Sequence, residues 1–119
     1  MNQSNLARHL GKTLTAIIDR PLGSRHPAWG FEYGLNDGYI KGLPGPDGED
    51  QDVYIMGVEE PLETFTGVCI AVILRANDVE GKLVLAPAGL AFDREQIAEA
   101  VAFQEQFFEC HILLPGDSA

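Results

Sequence analysis

Three observations predict a small domain of the mainly β or α+β class. Apolar or β-branched runs of strand length, each bounded by Gly, Pro, Asn or Asp, lie at residues 53–56, 66–74 and 82–86. One long helical pattern follows them, at about residues 93–108. The chain has 119 residues, of which 45% are hydrophobic. That length and composition fit a single domain, residues 1–119, with a core of its own.

The N-terminal part of the chain has a weaker pattern. Leu6, Leu10 and Leu14 recur at helical spacing with Gly11 among them, which predicts a short helix or arm and then a strand near residues 13–18. Residues 19–48 are rich in Gly and Pro, with aromatic side chains interspersed. Because aromatic rings give a long segment something to pack against, we expect an ordered loop there.

The C-terminal part of the chain has clear boundary signals. Asp93 and Gln96 predict a capping box at the start of the predicted helix. Residues 111–114 are mainly apolar and suit a last strand, which Pro115 and Gly116 would end.

Composition limits the partners and the compartment. Eight Lys and Arg against eighteen Asp and Glu give a net charge of −10, which argues against binding nucleic acid or an anionic membrane. The longest apolar run, residues 68–74, is too short to span a bilayer, and the N-terminus has no apolar signal region. Cys69 and Cys110 lie next to hydrophobic residues, which predicts reduced thiols and a cytoplasmic protein.

A cluster of four carboxylates within six residues, Asp47, Glu49, Asp50 and Asp52, precedes the first core strand. Carboxylates this close repel one another unless a cation neutralises them, so the cluster predicts a site for a hard metal such as Mg²⁺. A solvated acidic turn is the alternative. A calcium EF-hand loop is excluded because Asp52 occupies the position that requires Gly.

A second acidic segment precedes the strand at residues 82–86. It contains Asp78 and Glu80 and is followed directly by Lys82. Lys82 is either an ordinary solvated lysine at a strand end or, beside so many carboxylates, a phosphate contact. Arg20 and Arg25 are further cations that could face an anion.

Three segments, 36–40, 47–53 and 78–87, occur in an order that resembles the soluble family I inorganic pyrophosphatases. The family signatures are Asn-Tyr-Gly-Tyr-Ile, Asp-Gly-Asp-Pro-x-Asp and Asp-x-Lys-x-x-Ala-x-Pro, and the resemblance extends over about residues 15–108. It implies a small closed β-barrel of OB-like topology with the C-terminal helix packed against it. It also implies a homo-oligomer that hydrolyses the magnesium complex of pyrophosphate, with Mn²⁺ as a possible substitute metal.

The resemblance also implies roles for individual residues. Glu49, Asp52 and Lys82 would be catalytic, with Glu49 orienting or deprotonating the attacking water. The metal ligands would be Asp47, Asp52, Asp78 and Glu80. The substrate-binding residues would be Arg20, Arg25, Tyr39 and Lys82.

The chain departs from the family pattern at several of these positions. Asp37 replaces the first Tyr of the Asn-Tyr-Gly-Tyr segment, and Phe107 and Phe108 lie where the family has a Tyr-Lys pair that contacts the outgoing phosphate. Glu49 and Glu80 replace Asp. Two alternatives to pyrophosphate hydrolysis therefore stay open. They are a non-catalytic module that binds metal and phosphate, and a Mg²⁺-dependent hydrolase of another phosphoanhydride.

Overall fold

The computed structural model describes residues 3–45, 48–76 and 81–117. Within these ranges a short 3-10 helix, Gln3–His9, precedes the first strand. None of the helices in the described ranges has the length and apolar character needed to cross a membrane. The strands are β1 (Thr13–Arg20), β2 (Asn36–Pro44), β3 (Asp50–Ile55), β4 (Thr64–Arg75), β5 (Gly81–Ala86) and β6 (Cys110–Leu113), and the α-helix is α1 (Arg94–Glu105).

Five strands close into a mixed β-barrel in the order β1-β2-β3-β5-β4, with β4 pairing back onto β1. The β3–β5 pair is parallel and the other barrel pairs are antiparallel. Strand β4 is long enough to serve two neighbours, because its first part pairs with β1 and its last part with β6. The predicted OB-like closed barrel with a C-terminal helix is confirmed.

Two hydrophobic cores lie on either side of the sheet. Val53 and Ile55 of β3 point into the barrel, whereas Tyr54 and Met56 pack on the outer face together with Ile97 of α1. Successive side chains of a strand alternate between faces, so a strand that is buried on both sides reads as a continuous apolar run. That is why the sequence identified the end of β3 so readily.

The predicted capping box is present at the start of α1. The Gln96 amide donates to the Asp93 carboxylate at 2.7 Å, and the Asp93 amide donates to the Gln96 side chain at 2.8 Å. The helix ends at Glu105, earlier than the predicted position near Phe108.

The prediction of a loop over residues 19–48 is wrong in its second half, where β2 forms. Gly38 explains why this strand was difficult to recognise in the sequence. A Cβ atom at Gly38 would lie 2.0 Å from the Ile17 carbonyl oxygen, so β1 and β2 can approach only with Gly there. The first half is irregular but ordered, since Gly23 and Tyr33 are joined by a backbone hydrogen bond of 2.9 Å.

Candidate functional site

The outer face of the barrel, on the side of α1, brings together several of the predicted site residues. Tyr39 pairs with Asp52 across β2 and β3, and Asp37 pairs with Tyr54 two residues further along. Lys82 lies on β5, one residue before the first parallel pair between β3 and β5. Because side chains two residues apart share a face, these five side chains lie on one surface.

At one end of this face lies an open groove, here called the acidic groove. It has a volume of about 300 Å³ and is lined by Tyr39, Glu49, Asp50 and Asp52. The three carboxylates are exposed. Asp50 accepts a hydrogen bond of 3.3 Å from the amide of Gly42, which ties the groove to the irregular end of β2. Asp50 and Asp52 belong to β3 itself, not to the turn before it as the sequence suggested.

The oxygen donors of the acidic groove suit Mg²⁺. Mg²⁺ prefers oxygen ligands and usually binds through one or two carboxylates while keeping several waters, and the donor chemistry of Glu49 and Asp52 suits it. The described residues contain no group of three or more His, Cys, Asp or Glu side chains that could hold a metal. The other predicted ligands, Asp47, Asp78 and Glu80, lie outside the described residues.

Lys82 lies beside the acidic groove, but its ammonium group faces Asp37. The Nζ atom donates to both carboxylate oxygens of Asp37, at 3.0 and 3.2 Å. Both residues are 5% exposed. Nζ also lies 4.3 Å from the centre of the Tyr54 ring, a favourable cation–π position. Burial raises the pKa of the Asp37 carboxyl above its ordinary value, and the Lys82 ammonium opposes that rise without cancelling it.

A second buried ion pair lies on the other side of Tyr54. Arg75 at the end of β4 donates to both oxygens of Glu105, at 3.1 and 2.8 Å. The Tyr54 hydroxyl donates to Glu105 Oε2 at 2.6 Å. Burial raises the pKa of Glu105, but the hydrogen bonds from Arg75 and Tyr54 outweigh burial, so that this pKa lies below its ordinary value.

Tyr54 therefore links two buried ion pairs through its ring face and its hydroxyl. We call the five residues Asp37, Tyr54, Arg75, Lys82 and Glu105 the buried charge network. Two anions balance two cations in it, as burial requires.

The two predicted substrate arginines are placed differently. Arg20 is half-buried, and its register partner across β1 and β2 is Asp37. Arg25 is exposed and donates to the Gly30 carbonyl of its own loop at 3.0 Å. Arg20 thus lies next to Asp37 in the strand register, while Arg25 contacts its own loop.

Neither Phe107 nor Phe108 can donate a hydrogen bond to phosphate. Phe107 is 54% exposed and contacts Trp29 edge-on, with ring centres 5.5 Å apart. Phe108 lies against the guanidinium of Arg75, which is 3.7 Å from the centre of its ring. Phe108 is thus a ring that packs on an arginine.

Sequence reasoning missed the Arg75–Glu105 pair, although one signal pointed to it. Ile97, Val101 and Glu105 follow one helical face, and all three are buried. A carboxylate on the apolar face of a helix needs a buried partner, so the position of Glu105 could have indicated a buried cation without identifying which one.

Comparison with known proteins supports the fold. No protein-family model and no curated protein sequence matches the chain. The solved inorganic pyrophosphatase of Ehrlichia chaffeensis matches with a TM-score of 0.70 at 14% identity, covering 88% of this chain and 87% of that one. The enzyme of Neisseria gonorrhoeae has a TM-score of 0.61 at 15% identity, with 98% and 86% covered. That of Helicobacter pylori has a TM-score of 0.61 at 11% identity, with 89% and 85% covered.

These likenesses extend over most of each chain, so this protein has the fold of the bacterial inorganic pyrophosphatases. The resemblance that the sequence motifs predicted is confirmed at the level of the fold.

Proposed function

We propose that this protein hydrolyses inorganic pyrophosphate, bound as its magnesium complex, to two phosphates. The observation that supports the proposal most is the placement of Asp52 and Lys82 on neighbouring strands of one face, beside the acidic groove. They lie in a fold shared with bacterial pyrophosphatases. Hydrolysis of a phosphoanhydride needs anions to hold the metal and a cation to meet the phosphate.

The roles of the residues follow from their chemistry. Asp52, with Asp47, Asp78 and Glu80, would hold Mg²⁺ or Mn²⁺. When bound, the metal lowers the pKa of a water and balances charge on the phosphates. Glu49 would orient the attacking water and accept its proton at a carboxylate oxygen. The Tyr39 hydroxyl and the cations of Lys82, Arg20 and Arg25 would bind phosphate oxygens.

The Lys82–Asp37 pair supports an activity that is weaker than a full set of phosphate contacts would give. Lys82 can reach a phosphate only by leaving a buried carboxylate. Phe107 and Phe108 cannot give the hydrogen bonds that Tyr and Lys would give to a phosphate. Loss of one such preorganised donor typically costs about 3 kcal/mol of transition-state stabilisation, or about a hundredfold in rate.

A second candidate function is a non-catalytic module that binds metal and phosphate. The same buried Lys82–Asp37 pair favours it, because the cation that would meet the substrate is already neutralised.

Phosphate release from pyrophosphate, with and without Mg²⁺ and beside a nucleotide substrate, distinguishes these functions. We expect Mg²⁺-dependent release from pyrophosphate that Asp52→Asn abolishes, because a neutral amide cannot supply the charge that holds the metal. Asp117→Asn is the matched control, since it removes one carboxylate from an exposed ion pair with Arg94. Magnesium binding without phosphate release would favour the non-catalytic module, and release from the nucleotide alone would indicate another phosphoanhydride.

Self-association and a cytoplasmic location belong to the same proposal. Cys69 and Cys110 are both free thiols, and burial raises the pKa of Cys69 to about 11. Small domains often gain stability by associating. Light scattering should therefore give a mass that is a multiple of 12.9 kDa, whereas the mass of a single chain would contradict self-association.

A further inference from the structure

Asp37, the buried partner of Lys82, affects which ligands can bind to this face. We propose that Asp37 is a specificity-determining residue whose carboxylate occupies the place on Lys82 that a substrate phosphate takes. Every phosphate that binds must then displace Asp37. This inference rests on the proposed function, since it takes Lys82 to be a phosphate contact.

The geometry of the pair supports this competition. A lysine ammonium has three donors, and Asp37 receives hydrogen bonds from it at both carboxylate oxygens, at 3.0 and 3.2 Å. Carboxylate and phosphate oxygens accept the same charge-assisted hydrogen bond from an ammonium group. The two anions therefore compete for the same donors, and Asp37 is covalently held beside them.

The Asp37 carboxylate has charged neighbours besides Lys82. Arg20 is its register partner across β1 and β2, and residues that face each other on neighbouring strands have side chains on the same side of the sheet. The Arg20 side chain hydrogen-bonds Tyr33 instead, and the charges that act on Asp37 besides Lys82 are the anions Asp19 and Glu105. A carboxylate displaced from Lys82 is therefore left among like charges. Glu105, the anion on the α1 side, is held by Arg75 and Tyr54, and it is not available to replace Asp37 on Lys82.

Competition with Asp37 for Lys82 favours ligands with a higher negative charge. An anion that displaces a carboxylate from a buried ammonium must bind that ammonium more strongly than the carboxylate does. A phosphate dianion or a pyrophosphate meets this condition better than a monovalent anion. The displacement is complete before the chemical step, so it raises KM and leaves kcat nearly unchanged.

The first test is calorimetric binding of inorganic phosphate at a fixed Mg²⁺ concentration. Asp37→Asn keeps the shape of the side chain and removes its charge. We expect it to lower the Kd for phosphate about tenfold, in line with the strength of one charge-assisted hydrogen bond. KM for pyrophosphate should fall by a similar factor at unchanged kcat. Asp37→Glu retains the charge and should bind phosphate as the wild type does, and so should Asp117→Asn, which makes the same change in net charge at the Arg94 pair.

A double variant shows whether the gain depends on Lys82. Asp37→Asn combined with Lys82→Met should lose the tighter phosphate binding. If Asp37→Asn binds phosphate no more tightly than the wild type, or if the double variant keeps the gain, the competition does not exist.

A measurement on the wild-type protein covers the case in which Asp37→Asn does not fold. With ¹³C-labelled aspartate, saturation with phosphate should shift the Asp37 carboxyl resonance as Lys82 leaves it. An unmoved resonance at saturation, or no phosphate binding at all, would overturn the proposal. Failure of the proposed hydrolysis would look different, because turnover would be absent from every variant while Asp37→Asn still bound phosphate more tightly.

Discussion

The acidic groove and the buried charge network lie on the same face of the barrel and share strands β2 and β3. They differ in whether their carboxylates are exposed to solvent or buried against cations. The acidic groove presents three exposed carboxylates together with Tyr39. In the buried charge network every carboxylate oxygen of Asp37 and Glu105 accepts a hydrogen bond from Lys82, Arg75 or Tyr54.

This difference indicates an order of binding. The exposed end of the face attracts cations, while Lys82 and Arg75 are neutralised by buried carboxylates. Since the whole chain carries a net charge of −10, a bare phosphate is repelled and a metal is attracted. On the proposed function, we therefore expect metal to bind before phosphate or together with it.

The largest expected effect comes from breaking the buried charge network at Glu105. Glu105→Ala removes the carboxylate that accepts hydrogen bonds from Arg75 and Tyr54, and removing one member of a buried pair costs about 3–5 kcal/mol. Glu105→Gln should cost less because its amide oxygen can still accept from Tyr54. Urea unfolding measures the loss in the free energy of unfolding for both variants. Asp117→Asn, in the exposed pair, should show no measurable change. A loss below about 1 kcal/mol for Glu105→Ala would mean that the network does not hold α1 to the barrel.

The comparison of these two regions also shows what the sequence could predict. The acidic groove was predictable because Glu49, Asp50 and Asp52 are close in sequence and enter a strand with a clear apolar pattern. The barrel was predictable from the apolar runs of β3, β4 and β5 and from the motif order. Strand β2 could not be predicted in this way. It contains Gly38 because it approaches β1 closely, and that approach exists only in the folded chain.

The buried charge network was not predictable for a related reason. Its members come from four strands and one helix, and the ion pairs join residues 45 and 30 positions apart. Local spacing carries no information on such contacts. Lys82 was identified from its neighbours in sequence, whereas its partner Asp37 was noted only as a departure from a motif.

The second effect in size is the response of the acidic groove to metal. Mg²⁺ should raise the melting temperature by mass action, because a ligand at 100 times its Kd adds about 2.7 kcal/mol to the free energy of unfolding. Asp52→Asn should remove most of this shift, since Asp52 lines the groove. Glu105→Gln should lower the melting temperature but keep the shift, because Glu105 belongs to the other region. Melting curves of the wild type and both variants, with and without millimolar Mg²⁺, measure these shifts in melting temperature. An unmoved wild-type curve would contradict a metal site in the groove.

The smallest expected effect lies at the edge of the buried charge network, where Phe108 covers Arg75. Phe108→Leu keeps an apolar side chain but removes the cation–π contact, so it should cost about 0.5–2 kcal/mol in urea unfolding. Phe107→Leu is the matched control, because Phe107 is the neighbouring ring and contacts Trp29 and Phe31 instead of a cation. Phe108→Lys, which would copy the family's lysine, places a second cation beside Arg75 and should destabilise the protein more than Phe108→Leu without adding a phosphate contact. Equal losses for the two leucine variants would show that Phe108 acts through its apolar area alone.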